Sequence, residues 1–156
     1  MTCTVDINQI CIGVATDGER VVCLLEELGK PTQKKSYEAF KDHIALGSTL
    51  VHDKENAHKK LVTELNLVSE ECDSRSLKGL DDVNNPLDPT NDLHDRLKKF
   101  LKVNSGFNRD EITVFLDLFA FVKNPPYEML EKVENVVKLG FEKTKKLTYR
   151  GYFGGL

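Results

Sequence analysis

Apolar positions along this chain recur mostly three and four residues apart, the spacing that lines one face of an α-helix, and helix start and stop signals punctuate them. The pattern predicts an all-α fold: a single helical domain over 1–156, a compact bundle of five to six helices with one long loop and an aromatic, non-helical C-terminal tail. In the first stretch Asp6 can cap a helix carrying Ile7, Ile10, Cys11 and Val14. After Asp17-Gly18 come Val21, Val22, Leu25 and Leu28, then Gly29 and Pro31 as a stop. The alternative is an N-terminal β-hairpin over 10–25 on an otherwise helical domain, because Ile10, Ile12 and Val14 alternate and Asp17-Gly18 is a turn dipeptide. The helical character of Leu24-Leu25-Glu26-Glu27-Leu28-Gly29 favours helix.

From Ser36, read as an N-cap, the residues Tyr37, Phe40, Ile44, Val51, Leu61, Leu65 and Val68 keep a period near 3.5 through to Cys72. Breaks at Gly47-Ser48-Thr49 and at His52 to Asn56 divide this stretch into two helices, roughly 37–52 and 54–71. Residues 73–90, with two prolines, a glycine and no stripe, read as the long loop, either functional or a linker dividing the domain into 1–72 and 91–156. Beyond it Leu93, Leu97, Phe100 and Leu101 form a stripe opened by Asn91. Asn108, with Glu111 at the capping-box position and Phe107 placed to staple onto Ile112, opens a helix through Phe115, Leu116, Phe119 and Val122. Asn124 then caps a last helix with Pro125 at its first position, its core face being Met129, Leu130, Val133, Val136, Val137 and Phe141.

Composition narrows the class. At 156 residues, 40% apolar and 30% charged, the chain can build one core. Its longest apolar runs, Val21 to Leu25 and Leu118 to Val122, are far too short to span a bilayer. Asp6 precedes any Lys or Arg and no long apolar segment follows it, so the expected location is cytoplasmic, with no membrane association. The four cysteines form no C-x-x-C pair and no zinc-finger spacing; reduced thiols are expected, with Cys11 and Cys23 packed as small hydrophobes. No cofactor is implied: there is no Gly-rich phosphate loop, no G-x-S-x-G and no H-E-x-x-H.

Three groups of residues carry candidate chemistry. The tail residues Tyr149, Arg150, Tyr152, Phe153 and Leu156 are costly to leave in water, so the tail either seals a groove on its own domain or docks as an extended peptide into a partner. The net charge is −3, yet Lys143, Lys145, Lys146 and Arg150 cluster near the end, where a polyanion would feel them. Two His-Asp dipeptides, His52-Asp53 and His94-Asp95, offer imidazole and carboxylate together, with His43 and His58 nearby in the chain. This last set resembles in residue type the metal-dependent phosphohydrolases of the HD type. That resemblance implies a helical framework in which these four residues converge on a cation that activates water. The sequence departs from the pattern in the closeness of His43 to His52 and in the charged residues after each dipeptide.

The leading expectation is a non-catalytic protein-protein interaction module, an adaptor that self-associates as a homodimer through a helical groove or its tail. The alternatives are a metal-dependent phosphohydrolase at His52, Asp53, His94 and Asp95, and nucleic-acid binding through the basic C-terminal segment.

Overall fold

A computed structural model describes residues 10–54, 56–73, 75–77, 79–80, 84–103 and 109–142. The elements run β1 (Ile10–Thr16), β2 (Val21–Leu28), α1 (Gln33–Phe40), β3 (Thr49–Asp53), a 3₁₀ turn (Asn56–His58), α2 (Lys59–Glu64), β4 (Val68–Cys72), α3 (Asp88–Val103), a 3₁₀ turn (Arg109–Glu111), α4 (Ile112–Lys123) and α5 (Met129–Glu142). The all-α expectation is therefore wrong, as is the helical-bundle reading that went with it. The fold is mixed α/β, with two two-stranded sheets beside five α-helices among the described residues.

The N-terminal segment takes the hairpin alternative: β1 and β2 pair antiparallel from Thr16↔Val21 outward. Asp17 organises the connection. Its Oδ1 accepts from the backbone N–H of Glu19 at 2.9 Å and of Arg20 at 2.6 Å, and Gly18 takes φ +91°, a conformation glycine adopts without strain. One face of the hairpin (Ile10, Ile12, Val14, Val21, Cys23) packs on Leu93, Leu97, Ile112, Leu116 and Phe119 of α3 and α4. The other (Ala15, Val22, Leu24) packs with Phe40, Leu61, Leu65 and Leu67. A strand covered on both faces needs apolar residues at consecutive positions, which is why Val21 to Leu25 lacks alternation and imitates a helix.

A register shift between Cys11 and Ile12 leaves Glu26 as the extra residue of a β-bulge. Its carboxylate accepts from the Ser36 hydroxyl of α1 at 3.0 Å and from the Cys11 thiol of β1 at 3.6 Å. Ser36 is thus a fully buried helix-interior residue, not the N-cap. The cap is Thr32, whose Oγ1 accepts from the Lys35 N–H at 3.3 Å.

The two helices expected over 37–52 and 54–71 are instead a short helix followed by a βαβ unit. β3 and β4 pair parallel, Thr49↔Val68 through Asp53↔Cys72. Parallel strands cannot be joined by a tight turn, so the chain between them crosses over through the 3₁₀ turn and α2. Asn66, at φ +50°, closes α2 in the left-handed conformation that asparagine tolerates, and buried Leu61, Leu65 and Leu67 anchor the crossover.

Helix α3 begins inside the expected loop, at Asp88, with Pro89 in the first turn where a missing N–H costs nothing. Helix α4 is entered by the 3₁₀ turn, and Glu111 at its N-cap makes no side-chain capping bond; Phe107 and Asn108 lie outside the described residues. Asn124 and Pro125 do not open α5. Pro126 pushes the residue before it out of the helical region, and the helix starts at Met129. The chain divides into two compact units, 1–124 and 125–156. The second contributes α5 with its stripe of Met129, Leu130, Val133, Val136, Val137 and Phe141. Among the described residues no helix is long and apolar enough to cross a membrane.

Candidate metal centre

The carboxyl end of β3 is where chemistry-bearing side chains meet. Along Thr49-Leu50-Val51-His52-Asp53 the inward positions are Leu50, partly buried in the second core cluster, and His52, which is 7% exposed. The strand then ends at Asp53. The chain re-enters the fold through the 3₁₀ turn pinned by buried Ala57, which sets His58 beside the strand end. One ligand atom from each of His52, Asp53 and His58 lies within 4.8 Å of the others. The His58 Nε2 to Asp53 Oδ1 distance is 3.6 Å, and the two imidazole rings meet edge to face with centroids 5.1 Å apart.

Hydrogen bonding sets the tautomer of His52. Its Nδ1 lies 2.6 Å from the backbone oxygen of Asp53, and a carbonyl only accepts, so Nδ1 carries the proton. The lone pair is on Nε2, which accepts from the Ser69 hydroxyl of β4 at 2.9 Å. A backbone carbonyl holding Nδ1–H is the usual outer partner of a metal-ligating imidazole, because it fixes the ring and leaves Nε2 for the ion.

One edge of the donor set has the length a tetrahedral ion requires. Protein N and O ligands about 2.0–2.1 Å from zinc stand about 3.3 Å apart around a tetrahedron. The His58–Asp53 edge is close to that value. His58 and Asp53 are partly exposed, with side chains 26% and 48% accessible, so they can close the remaining gap by rotation without disturbing the core. Two imidazoles and one carboxylate suit zinc and its first-row neighbours rather than calcium or magnesium, which take oxygen. Three protein ligands leave the fourth position for water or substrate.

Of the four residues expected to share a cation, His52 and Asp53 lie in this cluster. His94, half-buried on α3, is near enough for the Asp53 carboxylate to favour its protonated form. Burial outweighs that attraction and holds its pKa below the ordinary 6.5, helped by Lys98. Asp95 faces solvent and pairs with Lys98 at 3.4 Å. His43 is exposed and outside the cluster. The member of the cluster absent from the expected four is His58, and its signal is the spacing His-Asp followed by His after four residues, which a strand end and one tight turn can fold into a single site. The framework differs from the HD type: these donors come from a β-strand and a 3₁₀ turn, not from helices. The tail residues Tyr149, Arg150, Tyr152, Phe153 and Leu156, and the basic residues Lys143, Lys145 and Lys146, lie outside the described residues.

Compared with protein-family models, with curated proteins and with solved structures, the chain gives no match.

Proposed function

We propose that this protein is a divalent-metal-dependent hydrolase acting on phosphate esters, with His52, Asp53 and His58 as the metal ligands. The observation that carries the reading is the convergence of these three donors at the carboxyl end of a parallel strand, the position where open α/β sheets bind ligands. A zinc-class ion held by two neutral imidazoles and one carboxylate keeps a net positive charge. When bound there, such an ion would lower the pKa of a bound water toward neutrality and would polarise a phosphoryl oxygen. Lys54, Lys59 and Lys60 outnumber Glu55 in the segment that follows Asp53, a local excess of positive charge that favours an anionic ester.

Calorimetric titration of the metal-free protein with Zn²⁺ and with Mn²⁺, followed by an assay with bis(p-nitrophenyl) phosphate, tests this reading. One equivalent of metal is expected, with turnover that depends on it. Asp53→Ala should weaken binding beyond the roughly 10–100-fold that outer partners of a metal site are worth. No saturable binding at millimolar metal, or the same affinity in the Asp53 variant, overturns it. Bound metal without turnover leaves the site and removes the hydrolase.

A further inference from the structure

Resting on the metal-site reading above, one contact in it assigns a role to a residue that is not a ligand. Ser69 Oγ stands 2.9 Å from His52 Nε2, on the only lone pair with which that imidazole can hold an ion. A histidine nitrogen has one lone pair, so the hydrogen bond from Ser69 and a bond to metal exclude each other. An ion about 2.0–2.1 Å from Nε2 would occupy the line now taken by the hydroxyl. Ser69 must then turn about χ1.

That rotation is cheap. The side chain is short, it has three staggered wells, and Ser69 is exposed on β4, so no packing opposes it. Where the hydroxyl goes is constrained by its anchor. Asp53 and His58 come from the strand end and the turn, and β4 supplies none of the three ligands. The side of the ion facing Ser69 is therefore the side without a protein donor. Glu71, register-paired with His52 on the same strand, is not among the converging atoms.

We infer that Ser69 is a substrate-positioning residue: it caps the His52 lone pair in the metal-free protein and, once an ion displaces it, hydrogen-bonds to the phosphoryl oxygen at the open coordination position. A hydroxyl suits both states, because it donates to the imidazole in the first and to an anionic oxygen in the second.

The test uses the full chain, Co²⁺ as a visible probe of the site, and inorganic phosphate as the ligand, so it needs no turnover. Spectral titration of Ser69→Ala should show Co²⁺ affinity equal to or a few-fold tighter than in the native protein, since no hydrogen bond has to be broken. Phosphate affinity of the Co²⁺-loaded variant should fall about tenfold to a hundredfold, the worth of one hydrogen bond to a charged group. Ser69→Thr should restore it. Loss of Co²⁺ binding in Ser69→Ala would make Ser69 a ligand and overturn the inference, and an unchanged phosphate affinity would do the same. Native protein that binds Co²⁺ but no phosphate refutes the role of Ser69 while leaving the metal site intact. Native protein that binds no Co²⁺ refutes the metal reading itself.

Discussion

The side chain of Asn124 takes the place of a strand neighbour for Val21. Its Oδ1 accepts from the Val21 N–H at 2.5 Å and its Nδ2 donates to the Val21 carbonyl at 2.9 Å, so the amide at the end of α4 makes both bonds that a peptide group would make to the first residue of β2. This clip, not the capping of α5, is what an asparagine at this position does. Val21 is 8% exposed, so water cannot replace the amide well. Asn124→Ala should cost about 1–3 kcal/mol, the penalty for leaving buried donors and acceptors unpaired. Asn124→Asp, which keeps the acceptor but sets a carboxylate oxygen against a carbonyl, should cost at least as much. Urea unfolding checks both: the midpoint falls with the slope unchanged. A midpoint equal to the native one in the Ala variant would mean the clip contributes nothing.

Gly13 lies where the hairpin presses on α1. A Cβ added there would collide with the Phe40 ring and stand 2.7 Å from Glu26 Oε1. Phe40 is buried at the centre of its cluster and Glu26 is held by Ser36, so neither gives way freely. Gly13→Ala should destabilise by about 1–3 kcal/mol through overpacking. Combining it with Phe40→Leu should recover part of that loss, giving a non-additive cycle in thermal melts. Additive losses would place the strain elsewhere.

The helices in the second half of unit 1 were legible because each buries one stripe: Leu93 and Leu97 on α3, and Ile112, Leu116 and Phe119 on α4, stand at helical spacing and are all buried. The first half was misread for two physical reasons. A hairpin covered on both faces, as at Val22 and Cys23, loses the alternation that marks a strand. The line Val51, Leu61, Leu65, Val68 keeps a helical period only by coincidence, since it runs through a strand, a turn, a helix and a second strand. Pairing of β3 with β4 is non-local and parallel, so nothing in either short segment announces the other. The candidate site was half legible for the same reason. His52-Asp53 is adjacent in sequence and His58 follows through one tight turn, whereas Ser69 reaches the site only through the crossover.

The thiol of Cys23 should be inert in the native protein. It is 3% exposed in the core between hairpin and helices, and burial pushes its pKa up to about 11, so almost no thiolate forms at neutral pH. Cys72, partly exposed at the end of β4, is the contrasting case. Alkylation with iodoacetamide followed by peptide mapping should modify Cys72 within minutes and Cys23 only after denaturation. Labelling of Cys23 at the rate of Cys72 would show that the hairpin opens from the core.

His94 gives the pH dependence a sign. Burial lowers its folded pKa below the 6.5 of an unfolded chain, with Lys98 acting in the same direction and Asp95 and Asp53 opposing. Between these two pKa values the unfolded chain binds more protons, so protonation favours unfolding there. The contribution of a neutral His94 is complete above about 6.5 and is lost as pH falls through the folded value. Unfolding midpoints measured from pH 7.5 down to 5 should therefore decline, and His94→Gln should flatten the decline in that window. Because the Asp53 carboxylate is one of the charges that holds the imidazole's proton, Asp53→Asn should lower the His94 midpoint further in an NMR titration. A midpoint unmoved by Asp53→Asn would mean that the Asp53 carboxylate does not act on His94, and an acid limb unchanged by His94→Gln would assign the pH dependence to other groups.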